Sequence, residues 1–371
     1  KNLTKEIIEK VQVTDTKTKA EAFTGQKGDQ TEKTINLTIK KENNKGWFGR
    51  LAAGKGTDNH YEYAALVNRF DNDTRLSILT GGNDLNSPGF SFGELQKMFG
   101  NSGGFGVSIN GGNMSYSIGG RSFGGGQGIV KSQNTGFTYA DQYGKNLDIS
   151  ADYFASSSNS MNESKSSREN ILPTGRYFTN STTTSDNEYK SKTFNTGIEI
   201  KVDSTFMINI RPSFTFNETE GENTSFRESL DSNQQLINSS TSTNSSKSLV
   251  NQFKNRISFS KKFGKKGAFL GLTINNQIDK TDGENYNISE INIINTSTEN
   301  RNQFNDNNSE YLSTSSTLTY RQPLIAKELF LDFSYNYSKN KREDIKSIYD
   351  FDNNTQDYLT TKNALSTDFK L

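Results

Sequence analysis

Cysteine is absent from this 371-residue chain, and histidine occurs once. Those gaps exclude a thiol nucleophile, a disulfide framework, an iron–sulfur cluster and a Cys/His zinc site. Any Ser-His-Asp arrangement rests on His60 alone. Hydrophobic residues make up only 30% of the chain, and mean hydropathy is −0.81. An average soluble domain carries roughly 45–50% apolar residues with Gly counted. No stretch approaches about 18 consecutive apolar residues, so no helix of the membrane-spanning kind is encoded. Neither sign of charge is in excess. The 43 Lys+Arg against 42 Asp+Glu leave a formal net charge of +1, without the basic footprint of a nucleic-acid binder. Against these deficits stand 25 Phe and 15 Tyr, too many aromatics for a solvated disordered chain. A conventional apolar core and full disorder are both excluded.

The informative pattern has period two. Phe206, Ile208 and Ile210 alternate with polar residues apart from Met207, and Pro212, Phe214 and Phe216 continue their side opposite Ser213 and Thr215. Leu329, Leu331, Phe333, Tyr335 and Tyr337 alternate largely with polar residues, as do Leu147, Ile149, Ala151 and Tyr153. Ala268, Leu270, Leu272 and Ile274 form another such face, and so do Phe194, Ile198, Ile200 and Val202. Successive strand side chains point to opposite faces, so each segment predicts a strand with one apolar and one polar face. Tight turns are expected at 144–146, 202–204, 263–267 and 323–326. Between them lie polar tracts around 157–188, 220–247, 280–307 and 340–355, read as long connections.

Alternating short and long connections, with every second strand residue apolar, is the pattern of an outer-membrane barrel. Tyr139, Tyr143, Phe263, Tyr320, Phe330 and Tyr337 suit its aromatic girdles. The expected fold is all-β, an antiparallel transmembrane β-barrel with about twelve strands between Trp47 and Leu371. The last stretch still alternates through Leu365, Phe369 and Leu371, and Lys1 follows no initiator Met or leader. The barrel is therefore expected to be incomplete, in a mature or truncated piece.

Residues 1–45 differ. Glu6-Ile7-Ile8-Glu9-Lys10-Val11-Gln12-Val13 predicts a strand, and Lys33-Thr34-Ile35-Asn36-Leu37-Thr38-Ile39-Lys40-Lys41 a second, around a turn with Gly25 and Gly28. These runs, followed by Lys45-Gly46-Trp47-Phe48-Gly49-Arg50, resemble the end of the plug and the first barrel strand of TonB-dependent receptors. The resemblance is to the receptor-like outer-membrane proteins of the Bacteroidetes type and covers residues 6–58. Where many transporters carry Arg-Gly-Pro after the first plug strand, this chain has Thr14-Asp15-Thr16-Lys17.

The resemblance implies a C-terminal end of a plug domain over 1–45 and barrel strands with long extracellular loops over 46–371. It implies a bacterial outer-membrane location, binding of an unidentified ligand and its import, with no covalent chemistry and no cofactor. The implied partners are outer-membrane lipid, TonB, a surface lipoprotein or other outer-membrane proteins, and no nucleic acid. The alternative is a structural or accessory barrel subunit of an outer-membrane assembly or secretion complex. A third reading is a surface adhesin or soluble β-rich repeat protein.

No catalytic, cofactor-binding or metal residue is assigned. The Gly-rich stretch 102–128 lacks the Lys-Ser/Thr pair of a phosphate loop and is read as a long extracellular loop. Asp350-Phe351-Asp352-Asn353-Asn354 resembles the opening of a calcium loop, but Thr355 stands where Gly is required and Thr361 where the closing acid belongs. A polar surface turn explains it better. Lys261, Lys262, Lys265 and Lys266 flank Phe263-Gly264 as an interface cluster. His60 is expected on a turn. Asp148 and Asp152 share a polar strand face without a pocket to split their pKa values.

Overall fold

The computed structural model describes residues 8–17, 19–25, 29–39, 45–85, 105–110, 113–118, 121–124, 128–173, 175–264, 267–325, 329–359, 362 and 364–371. The chain is all-β and antiparallel. Two strands near its start, β1 (Ile8–Thr16) and β2 (Asp29–Ile39), pair with Val13 opposite Ile35. Between them lies a helix that no period-two reading exposes, α1 (Lys19–Thr24). Its Thr24 hydroxyl donates to the Ala20 carbonyl at 2.8 Å. Gly25 follows at φ 76°, the left-handed geometry that closes a helix.

The main sheet begins with β3 (Lys45–Lys55), β4 (Tyr61–Asp71) and β5 (Thr74–Asn83). A separate three-stranded meander follows, made of β6 (Phe105–Asn110), β7 (Asn113–Ile118) and β8 (Arg121–Gly124). The Gly-rich stretch therefore carries short strands; Gly103, Gly104 and the pairs at 111–112, 119–120 and 125–126 lie outside the described residues. The main sheet then resumes with β9 (Ile129–Tyr143), β10 (Leu147–Leu172), β11 (Gly175–Lys201) and β12 (Phe206–Leu230). It continues through β13 (Leu236–Phe263), β14 (Ala268–Ile293), β15 (Ser297–Ile325) and β16 (Leu329–Asp352), and ends with the short β17 (Asp357–Tyr358) and β18 (Thr367–Lys370). Neighbours in sequence are neighbours in the sheet, except that β5 pairs β9 across the meander and β18 pairs β16, to give 13 strands in all. Among the described residues no ladder joins β3 to β16, β17 or β18.

The turns at 144–146 and around 203–205 fall where the sequence places them, and Gly264 takes φ 62° in the third. The fourth turn, expected at 323–326, is displaced: Pro323, Leu324 and Ile325 continue β15, and Ala326 lies outside the described residues. The polar tracts at 157–188, 220–247, 280–307 and 340–355 are a different matter. Read from sequence as long connections, they are largely strand. β10 to β16 run on for 24 to 29 residues each and reverse in tight turns at their far ends. At about 3.3 Å per residue, 25 residues reach roughly 80 Å, far more than the 9–11 residues needed to cross a bilayer.

Backbone ladders alone do not explain these tall hairpins, since a Ser/Thr/Asn-rich segment gains little from apolar burial. Side-chain hydrogen bonds between facing strands supply the difference. Thr183 donates to Ser225 at 3.2 Å, and the Thr224 and Thr243 hydroxyls meet at 3.2 Å. Such cross-strand pairs contribute about 0.2–1 kcal/mol each.

Candidate functional surface: an apolar belt outside, a polar face within

Register converts the period-two pattern into two surfaces. Ile149, Ile198, Ile210, Ile257 and Ile274 stand opposite one another across β10 to β14, forming one isoleucine row. Four residue pairs higher, beyond a more polar row of Pro212, Asn255, Asn276, Thr314 and Lys339, runs an aromatic row of Phe137, Tyr153, Phe194, Phe214 and Phe253 across β9 to β13. Ring centroids are 6.0 Å apart for Phe137 and Tyr153, and 4.8 Å for Phe214 and Phe253. Below the isoleucines the face ends on Phe206 and Tyr320, with Phe333 opposite the tyrosine. The belt is exposed: Phe214 shows 49% of its surface, Phe333 56% and Trp47 67%.

The other face is polar and sheltered. Asn68, Asn134, Ser191, Thr193 and Glu199 are all buried there. The Ser77 hydroxyl donates to Asn68 at 2.6 Å, and the Asn195 amide donates to Asp152 at 3.0 Å. The few buried apolar side chains among the described residues, Ala64, Leu79, Val130, Phe154, Met207, Phe269 and Ile348, lie on this same face. In water, folding would bury the belt and expose the amides. This sheet does the reverse: its exposed face is apolar and its sheltered face is polar.

From Phe206 to Phe216 the belt occupies eleven positions of β12. That is about 35 Å along the strand, or roughly 25 Å along the normal at a 45° tilt, matching the apolar band of an outer-membrane barrel. On β12 the outer face turns charged two residues above Phe216, whereas on β16 Lys339 and Lys341 already stand on it within the height of the belt. Lys190 pairs with Glu188 at 3.0 Å, and Lys247 lies between Glu220 and Glu218, 3.6 Å from the latter. These pairs hold the Glu220 carboxyl below its usual range and the Lys190 and Lys247 amines above theirs, chiefly through the charge-assisted hydrogen bonds. On the inner face at this height an asparagine cluster takes over: Asn285 donates to Asn244 at 3.0 Å and Asn305 to Asn285 at 3.2 Å.

The sequence-derived candidates fall at separate places. His60 sits 3.3 Å from Asp84, whose other oxygen accepts the Tyr61 amide at 2.8 Å. That amide bond is the main reason the Asp84 carboxyl titrates below its usual range. The pair fastens the β3–β4 turn to the end of β5. Asp148 and Asp152 lie on the polar inner face, as the alternation implies. Asp350 accepts from Gln303 at 2.8 Å, while Asp352 caps its own turn by accepting the Asn354 amide at 2.8 Å. Among the described residues no three His, Cys, Asp or Glu converge as a metal site. Lys261 reaches Thr205 at 2.7 Å, and Lys262, on the opposite face, lies 4.0 Å from the Phe23 ring of α1. Lys265 and Lys266 lie outside the described residues. Sequence reasoning missed the placement of α1 against the polar face of β13 and the height of the hairpins. The paired Lys and Glu residues from 188 to 247 were the available signal for the second.

The chain matches no protein-family model, no curated protein and no solved structure. The fold and the two faces therefore carry the functional argument alone.

Proposed function

We propose that this chain is the wall of an outer-membrane β-barrel of the TonB-dependent-receptor-like kind, which binds a ligand and admits it across the outer membrane. The observation that supports this most is the inverted amphipathicity: an exposed apolar belt about 25 Å tall over a sheltered polar face. The belt meets lipid, and the polar face lines the lumen. Residues 1–45 are the end of a plug, a reading favoured by the contact of Phe23 in α1 with Lys262 on the lumen face. Work is done by binding and gating, and no residue here is asked to make or break a covalent bond. TonB or a surface lipoprotein partner belongs to this reading.

The tall hairpins favour a second reading, an accessory subunit of an outer-membrane assembly or secretion complex. Above the belt, Asn217 to Leu230 of β12 alone extends about 45 Å, a paired wall large enough to seat another protein. Native mass spectrometry of the detergent-extracted complex separates the two. An importer runs alone or with one lipoprotein, whereas fixed stoichiometry with several outer-membrane proteins replaces it with the subunit reading. A chain that stays dispersed without detergent, and runs identically on gels heated or unheated, refutes both.

A further inference from the structure

Along the upper edge of the belt, Phe216 and Asn251 stand between Lys192 on β11 and Lys280 on β14 in one cross-strand row. Directly beneath them the aromatic row passes through Phe194, Phe214 and Phe253. The two lysines and these rings line a single cavity of about 320 Å³ on the outer face. Its floor is apolar and its upper rim is cationic.

The two amines are poorly satisfied by the protein. Among the described residues Lys192 makes no ion pair; its amine lies 5.8 Å from the centre of the Phe216 ring. Lys280 has a loose partner, Glu310 at 3.8 Å, with both side chains well exposed. Three interstrand steps of about 4.8 Å separate the two backbones by roughly 14 Å. Flexible lysine stems close part of that gap, since both line the same cavity. Elsewhere on this face the lysines just above, Lys190 and Lys247, are held by glutamates.

We infer that this cavity is a site for an anionic phospholipid, its phosphate between Lys192 and Lys280 and an acyl chain over Phe194, Phe214 and Phe253. The inference rests on the membrane reading above. An acyl chain removes exposed aromatic surface from contact with headgroups and water, and the phosphate completes two cations lying at the apolar boundary. Asn251 adds an amide donor between them. A zwitterionic lipid would bring its own cation to the same rim and lose the advantage.

The test is native mass spectrometry of the delipidated full chain titrated with phosphatidylglycerol or with phosphatidylcholine of the same acyl length. The expected result is one tightly held phosphatidylglycerol and a weaker phosphatidylcholine. Juxtamembrane lysines contribute about five-fold each at an anionic surface. Lys192→Gln with Lys280→Gln therefore weakens phosphatidylglycerol by ten-fold or more, while Lys339→Gln with Lys341→Gln, two to four residue pairs lower on the same face at β16, changes it less than two-fold. The gel shift between heated and unheated samples verifies that each variant folds. Equal binding of the two lipids, or no loss in the lysine pair variant, overturns the proposal. So does displacement by millimolar inorganic phosphate with no dependence on acyl length, which assigns the site to free phosphate. If the chain takes up a detergent belt yet shows no lipid preference, the site fails while the membrane reading stands. If it takes up no belt at all, both fail.

Discussion

Ile210 offers the sharpest perturbation of the belt. It lies in the isoleucine row with Ile198 and Ile257 as direct neighbours, four residues above Phe206 and six below Phe216. At about 3.3 Å per residue and a tilt near 45°, that places it within about 3 Å of the bilayer midplane. An arginine at the midplane of the lipid face costs about 2–4 kcal/mol, falling to about 0–1 kcal/mol near the interfaces. Ile210→Arg is therefore expected to lower the folded-to-unfolded ratio by a factor of about 30 to 1,000, at 1.4 kcal/mol per decade. Asn209→Arg, one residue away on the polar face, gives up hydrogen bonds with Glu199 and Arg211 and should cost only about 1 kcal/mol. Reversible urea unfolding in lipid vesicles, followed through the single tryptophan, Trp47, measures both. Equal losses for the two variants, or a cost below about 0.5 kcal/mol for Ile210→Arg, would refute the assignment of the belt to lipid.

Other consequences are quickly stated. Arg227 and Lys247 lie in paired strands, so trypsin should leave them intact in the folded chain; rapid cleavage at both would mean open loops. The carboxyls of Glu220 and Asp344 are lowered mainly by hydrogen bonds from Lys247 and Arg342. A lowered carboxyl contributes stability above its unfolded value, 4.5 for Glu and 3.8 for Asp, and loses it as pH falls through the folded value. Hydrogen exchange corrected for intrinsic rate should therefore accelerate in the upper hairpins between pH 5 and about pH 3, and leave the belt unchanged. Gly128 has φ 77°, and a Cβ there would overlap the Met161 carbonyl oxygen. Gly128→Ala should destabilise β9 by about 1–3 kcal/mol in the same urea assay, and a neutral result would show that the turn relaxes freely.

The belt was legible because one apolar face on a two-faced sheet demands alternation: Phe206 to Phe216 and Leu329 to Tyr337 announce their strands and faces. The upper hairpins were not, because both of their faces meet polar surroundings. Where Glu218, Thr219, Glu220 and Gly221 succeed one another, no period survives to separate strand from loop. Their order comes from partners distant in sequence, such as Thr224 with Thr243, which only the register reveals. The helix α1 spans 6 residues, too short for a helical period to show in sequence. The isolated candidates, His60 and Asp352, were read as turn residues and occupy turns with local partners.

The absence of cysteine makes the central claim directly measurable. A spin label attached to single cysteines placed in turn along β12, from Phe206 to Leu230, reports collisions with oxygen from the lipid and with a water-soluble nickel chelate. Even positions from 206 to 216 should be oxygen-accessible, odd positions should not, and from 218 upward the nickel chelate should dominate on the outer face. Nickel access at Ile208, Ile210 and Phe214 equal to that at Glu220 would mean that the belt meets water, and would contradict the account.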